Sequence, residues 1–227
     1  MDFSTVLCNQ AVPVHVTLRR NTKRMSLRFV DGHVRISAPL RQSLKSIERF
    51  VSDHRAWLEE RFEATPPPLT LENGLVLPIL GQERTLHLDK LTRGPRVELT
   101  PTELICRSST PELSIPRFLR TTAHPHIEEK ARAYAAQLGL KFETLQLKDT
   151  RSRWGSCSHK GRLNIHWKLI FAPSDVMDYV IAHEVCHLKE FNHSSAFWKL
   201  VSSLCPGYVA HRRWLKKNGP EIQNWLR

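Results

Sequence analysis

The sequence predicts an α+β protein whose first half is mostly strand and whose second half is mostly helix. Apolar residues alternate with polar ones between residues 14 and 38 and again between 75 and 107, the period of half-buried strands. From about residue 114 the apolar spacing becomes helical. A largely apolar helix pattern then begins after Pro173 and carries His183, Glu184 and His187. These observations place a β-rich N-terminal region over 1–110, with one helix over about 43–64, and a second domain over 111–227.

In the N-terminal region, Met25, Leu27 and Phe29 alternate, as do Val34 and Ile36, and Asp31-Gly32 between them is a hairpin turn signal. Pro39 closes this segment. Leu44, Ile47, Phe50, Val51, Trp57, Leu58 and Phe62 then fall at helical spacing behind Ser43, an N-cap residue type. Pro66-Pro67-Pro68 stops the helix and reads as a linker. The stretches LVLPIL, RTLHLDKL, RVELT and ELICR, punctuated by glycine and proline, read as four more strands.

The second region opens with RFLRTTAHPHIEEKARAYAAQLGL, a helical pattern expected to be interrupted near Pro125 and closed by Gly139. TLQLKDTR and RLNIHWKLI read as strands joined by the loop SRWGSCSHKG, with Leu163, Ile165 and Trp167 on one face. Ser174 is the expected N-cap of the next helix, with Asp175 and Asp178 in or near its positive first turn. Val176, Tyr179, Val180, Ile181, Val185 and Leu188 make that helix apolar on most sides, so it should be buried. SAFWKLVSSLC is a further helix ended by Pro206-Gly207, and VAHRRWLKKNG is the last, with Gly219 past its end.

Composition narrows the function classes. The 227 residues are 41% hydrophobic and 25% charged, ordinary for a soluble globular chain. No apolar run approaches the roughly 18 residues of a membrane span, and no basic, then apolar, secretory leader opens the sequence, so a cytoplasmic, non-membrane protein is expected. Cys8, Cys106, Cys157, Cys186 and Cys205 are odd in number and widely spaced, which fits reduced thiols and excludes a cysteine-built zinc knuckle. The net charge of +12 favours polyanionic partners or acidic substrates.

The segment DYVIAHEVCHLKEFNHSSAFW concentrates the chemistry. His183 and His187 are four residues apart, so on a helix their rings point the same way and can share one ion. Glu184 is offset by about 100°, near enough to take a proton from a water on the metal but badly placed to be a ligand. This is the arrangement that metal-assisted hydrolysis needs: two ligands on one face and a base one residue along. Two imidazoles on a buried helix would carry a desolvation cost that one zinc removes. For the third ligand, Glu190 would lie about 10 Å along the axis from His183 if the helix continued. His193 would be turned about 120° away on an unbroken helix, and can reach the ion if the helix ends first; Asn192, tolerant of the left-handed conformation, offers the break. His193 is therefore the expected third ligand, and one zinc per chain the expected cofactor. The same spacing occurs in metzincins, but Glu190 stands where their turn glycine belongs and no methionine follows the motif.

Taken in order, RSRWGSCS, LNIHWKLIFAP, DYVIAHEVCHLKEFNHS, FW and WLKKNG resemble the YgjP-like metallopeptidase family, more distantly related to the SprT and WLM groups. RRNTKRMSLRF and VRISAP extend the resemblance to the N-terminal region. It implies a zincin-like, gluzincin-type fold of a sheet, an active-site helix and a following helix that supplies the third ligand. It also implies His183, His187 and His193 as ligands, Glu184 as base, and peptide or protein substrates. In zincins an edge strand beside the active-site helix pairs with the substrate, which makes Arg153, Trp154 and Asn164 candidates for the cleft wall; Trp154 could equally be core, with Gly155-Ser156 an ordinary turn. Tyr208 and His211 are candidate oxyanion donors.

The rival reading from another class is a non-catalytic zinc module whose basic surface binds nucleic acid or a protein. Its mark would be a closed four-ligand site, with Cys157 the obvious fourth donor. Glu184 argues against it. Hydrolysis of a non-peptide amide is a third reading. Basic residues gather at Arg19, Arg20, Lys23, Arg24 and Arg28, at Arg151, Arg153, Lys160 and Arg162, and at Arg212, Arg213, Lys216 and Lys217. Together with the SprT kinship they make nucleic acid a candidate partner; solvated helix faces explain them as well.

Overall fold

The computed structural model describes residues 2–30, 32–63, 69–89, 93–150 and 153–226, which form two compact units, Met1–Pro68 and Leu69–Arg227. Asp31, Pro66-Pro67-Pro68 and Arg151, to which the sequence assigns a turn, a linker and part of a basic cluster, lie outside the described residues.

In the first unit, β1 (Asp2–Leu7), β2 (Gln10–Arg19), β3 (Ser26–Val30) and β4 (His33–Pro39) form one sheet in the order β1-β2-β4-β3. β2 and β4 are parallel, with Val14 opposite Val34, and the other pairs are antiparallel. Alternate residues Val12, Val14, Val16, Val34, Ile36 and Ala38 bury one face against Ile47, Val51 and Leu58. These last come from α1 (Leu44–Asp53) and α2 (Arg55–Glu63). Ser43 does cap α1, accepting from the Ser46 N–H. The single helix expected over 43–64 is interrupted at His54, whose backbone leaves the helical region at φ −106° and ψ 14°. β1 was not anticipated; its short alternation carries one fully buried residue, Leu7.

The second unit begins with β5 (Val76–Ile79), β6 (Gln82–Leu88), β7 (Val97–Leu99) and β8 (Glu103–Cys106), a sheet ordered β5-β6-β8-β7. Its Leu77, Ile79, Leu86 and Leu104 share one core with Ile115, Leu119 and Ile127 of α3 (Pro111–Gln137). The units therefore divide at 68/69, where the sequence reading places the boundary near 110. The change from strand to helix pattern at 110 marks a change of element inside one core. α3 also runs on through Pro125, where an interruption was expected. Pro125 lies on the exposed side of the helix, so the Thr121 carbonyl that loses its partner faces water, while Ala123 and Ile127 stay buried.

A second sheet follows. β9 (Thr144–Lys148), β10 (Gly155–Cys157) and β11 (Arg162–His166) are ordered β10-β11-β9, with β10 antiparallel and β9 parallel to β11. The segment read as a loop thus contains the edge strand, and the strand expected to continue to Ile170 ends at His166. Trp167–Phe171 is a 3-10 helix, entirely buried. α4 (Ser174–Cys186), α5 (Ser195–Leu204) and α6 (Tyr208–Asn224) complete the unit. Pro173, not Ser174, is the N-cap of α4, and no side chain caps it. α6 continues past Gly219 and Pro220, and Gly219 is buried where Trp154 packs against it. The fully buried Lys168 reaches the far end of α6, donating to the Gln223 carbonyl at 2.9 Å. Among the described residues, no helix is long and apolar enough to cross a membrane.

Ile127 has no exposed surface and sits at the middle of α3. Ile127→Ala is expected to cost about 2–5 kcal/mol of stability, read as a lowered urea midpoint with an unchanged slope.

Candidate metal site

α4 packs against α3, α5, α6, β10, β11 and the 3-10 helix, which explains why its apolar residues run nearly all round it. Asp178, one of its few polar residues, receives Lys130 of α3 at 2.7 Å. Ser174 and Asp175 open the helix, and a second polar group stands at its C-terminal end: His183 on the last turn, Glu184 beside it, and His187 as the C-cap. α4 ends there and not at Asn192. The Nδ1 of His187 lies 2.9 Å from the Glu190 carbonyl, a bond that closes the turn and leaves Nε2 as the free ligand atom. Asn192 accepts the Ser194 N–H through its side chain and is not left-handed; Ser194 in turn caps α5. The tight exit from α4 brings His193 back beside His183.

One ligand atom from each of His183, His187 and His193 lies within 4.8 Å of the others. Nε2 of His183 and Nε2 of His193 are 3.2 Å apart. Two nitrogens at zinc-ligand distance and a tetrahedral angle would be about 3.3 Å apart, so the donor set fits such an ion. Among the described residues no cysteine or carboxylate joins the three histidines; Cys157 and Glu190 stay outside the group. Burial pushes the His183 imidazole down to about 3, with smaller contributions from His187, His193 and Arg212, and burial also lowers His187. Both rings are therefore neutral at neutral pH, the form that binds metal.

Glu184 is 5% exposed, and its Oε2 has no hydrogen-bond partner. Burial pushes its carboxyl up to about 8, against the pull of the Arg153 charge. A cation at the three histidines would oppose that shift. The carboxyl is walled in by Gly155: a Cβ at that position would collide with Oε1, Cδ and Cγ of Glu184. Gly155 has no left-handed backbone, so space, and not conformational freedom, requires the glycine here.

The remaining sequence candidates separate. Arg153 is exposed and near enough for its charge to act on Glu184. Trp154 is half-buried, packed on the unit's core 5.0 Å from the His166 ring and against Gly219. Gly155 pairs with Ile165 and Cys157 with Leu163, which sets these residues on the α4 side of the sheet. Asn164 pairs with Ser156 on the other face, donating to its hydroxyl at 3.1 Å. Tyr208 stacks on Trp198 at 5.2 Å and on Tyr179 at 6.5 Å. His211 is turned back on its own helix start, its Nε2 filling the space a Cβ on Gly207 would take. Sequence reasoning missed Trp198 as a site residue: its ring stacks on His193 at 5.8 Å and stands 5.9 Å from His183. The signal was its place one turn into the helix after His193.

The YgjP-like metallopeptidase domain family matches residues 23–218. Among solved structures, the metallopeptidase zymogen abylysin of Pyrococcus abyssi is similar at 23% identity over 40% of this chain and 93% of that one, with a TM-score of 0.37. None of the curated proteins matches.

His193→Ala is expected to lower metal content well below the wild-type value of about one ion per chain, by elemental analysis after zinc loading and desalting. Equal metal in both proteins would move the third donor elsewhere.

Proposed function

The chain belongs to the YgjP-like metallopeptidase family, and from that premise we propose that it is a zincin-type, zinc-dependent peptidase with Glu184 as general base. The observation that carries this is the convergence of His183, His187 and His193 within 4.8 Å beside the buried Glu184. A zinc ion, which His183, His187 and His193 would hold, would supply a Lewis acid for the peptide carbonyl and acidify the attacking water. Glu184 takes the proton of the attacking water and delivers it to the leaving amine. Its enclosure against Gly155 holds the carboxyl in one place for both steps.

β10 is an edge strand beside α4, and an extended peptide added to its free edge would lie alongside the metal ligands. Main-chain hydrogen bonds would hold it with little demand on sequence. Tyr208 is the better oxyanion donor of the two candidates, because it lies in the aromatic stack that reaches His193 through Trp198, and His211 does not. The lack of a fourth donor among the described residues favours an open coordination position, which supports a catalytic site over a structural zinc module.

Glu184→Gln should bind zinc like the wild type and lose peptide hydrolysis by at least about 100-fold, measured on a fluorogenic peptide library with metal content checked in the same preparations. Undiminished cleavage would sink the mechanism. Gly155→Ala should also retain zinc, because the atoms its methyl would displace first belong to Glu184, yet lower kcat by about 100-fold by moving that carboxyl. A change confined to KM would show that Gly155 serves substrate pairing alone.

A further inference from the structure

The metal site is approached by two guanidinium groups that the hydrolytic chemistry does not use. Arg153 leads into β10, two residues before the glycine that abuts Glu184. Its charge is felt by the Glu184 carboxyl. Arg212 lies on α6, four residues after Tyr208, so the two share a helix face. Its guanidinium sits 5.0 Å over the Trp198 ring, whose own neighbours include His183 and His193. Its charge is felt by His183 and Tyr179.

Neither arginine has a carboxylate partner among the described residues. Two other basic side chains of this unit are already neutralised: Arg162 pairs with Glu143 at 2.9 Å, and Lys130 pairs with Asp178. Glu184, whose carboxyl feels the Arg153 charge, is buried against Gly155. Arg212 is also held in place by its stack, so it would lose less freedom on binding an anion than a free surface arginine would.

We propose that Arg153 and Arg212 form a carboxylate-recognition pair on either side of the scissile bond, so that the preferred substrates are acidic peptides. This rests on the peptidase reading for the reaction itself, but the recognition can be tested apart from it. An extended peptide along β10 passes Arg153, and its continuation past the metal ligands meets Arg212 on Trp198. Each guanidinium can donate a pair of hydrogen bonds to a carboxylate. The carboxylate can come from an aspartate or glutamate side chain or, at Arg212, from the chain terminus.

The test uses full-length zinc-loaded Glu184→Gln protein and labelled peptides read by fluorescence anisotropy. Matched peptides carry Glu or Gln at the positions flanking the central bond, each with a free or an amidated C-terminus. The glutamate peptides should bind about tenfold more tightly than the glutamine ones at low salt. The difference should shrink in high salt and in Arg153→Gln and Arg212→Gln backgrounds, with Arg→Lys restoring part of it. Loss of free-terminus dependence in Arg212→Gln, with that dependence kept in Arg153→Gln, would identify the terminal carboxylate as the ligand of Arg212. Equal binding of acid and amide peptides overturns the proposal, whether or not the wild type cleaves them. So does a single-stranded oligonucleotide that binds more tightly than every peptide and loses affinity in the same arginine variants. Acid-selective binding with no wild-type hydrolysis would instead keep the recognition pair and reject the peptidase reading.

Discussion

The enclosure of α4 governs the rest of the second unit. A helix packed on by three other helices, two strands and a 3-10 turn must be apolar on nearly every side, and Val176, Val180, Ile181, Ala182 and Val185 meet that demand. Polar groups can be tolerated there only where something answers them. Lys130 answers Asp178 near the start of the helix. At its end, Oε2 of Glu184 is buried with no partner in the protein, an expensive arrangement unless a ligand or reaction uses it.

That expense is concentrated at one end because the helix stops there. Had α4 continued, His193 would have turned away from His183. The exit at His187, closed by the Glu190 carbonyl, folds the chain back within a few residues. Ser194 then starts α5 so that Phe197 and Trp198 fall against the imidazoles. Local hydrogen bonds therefore set the histidine geometry, and aromatic packing keeps it.

Two glycines set how closely the surrounding elements approach. Gly155 lets the edge strand press its backbone on the Glu184 carboxyl, and Gly219 lets α6 close on Trp154. Neither has a left-handed backbone. Both are small because a neighbour occupies the place of a side chain, so the sheet edge, α4 and α6 are held in a single arrangement around the site.

Much of this was legible in the residues themselves. Alternation gave most strands of the three sheets, though not β1 or β10, helical spacing gave the helices, and the four-residue interval between His183 and His187 placed two rings on one face. These are local periodicities, dictated by backbone geometry within a few residues. What required the tertiary structure was non-local. The boundary between units followed from Leu77 and Leu104 sharing a core with α3, which no local pattern reveals. Gly155 read as a turn glycine until Glu184 appeared beside it. The break expected at Asn192 came at His187, because a carbonyl three residues on captured that ring. The sequence determined which residues could do the chemistry; packing decided which of them meet, because the contacts that join β10, α4, α5 and α6 lie between segments far apart in the chain.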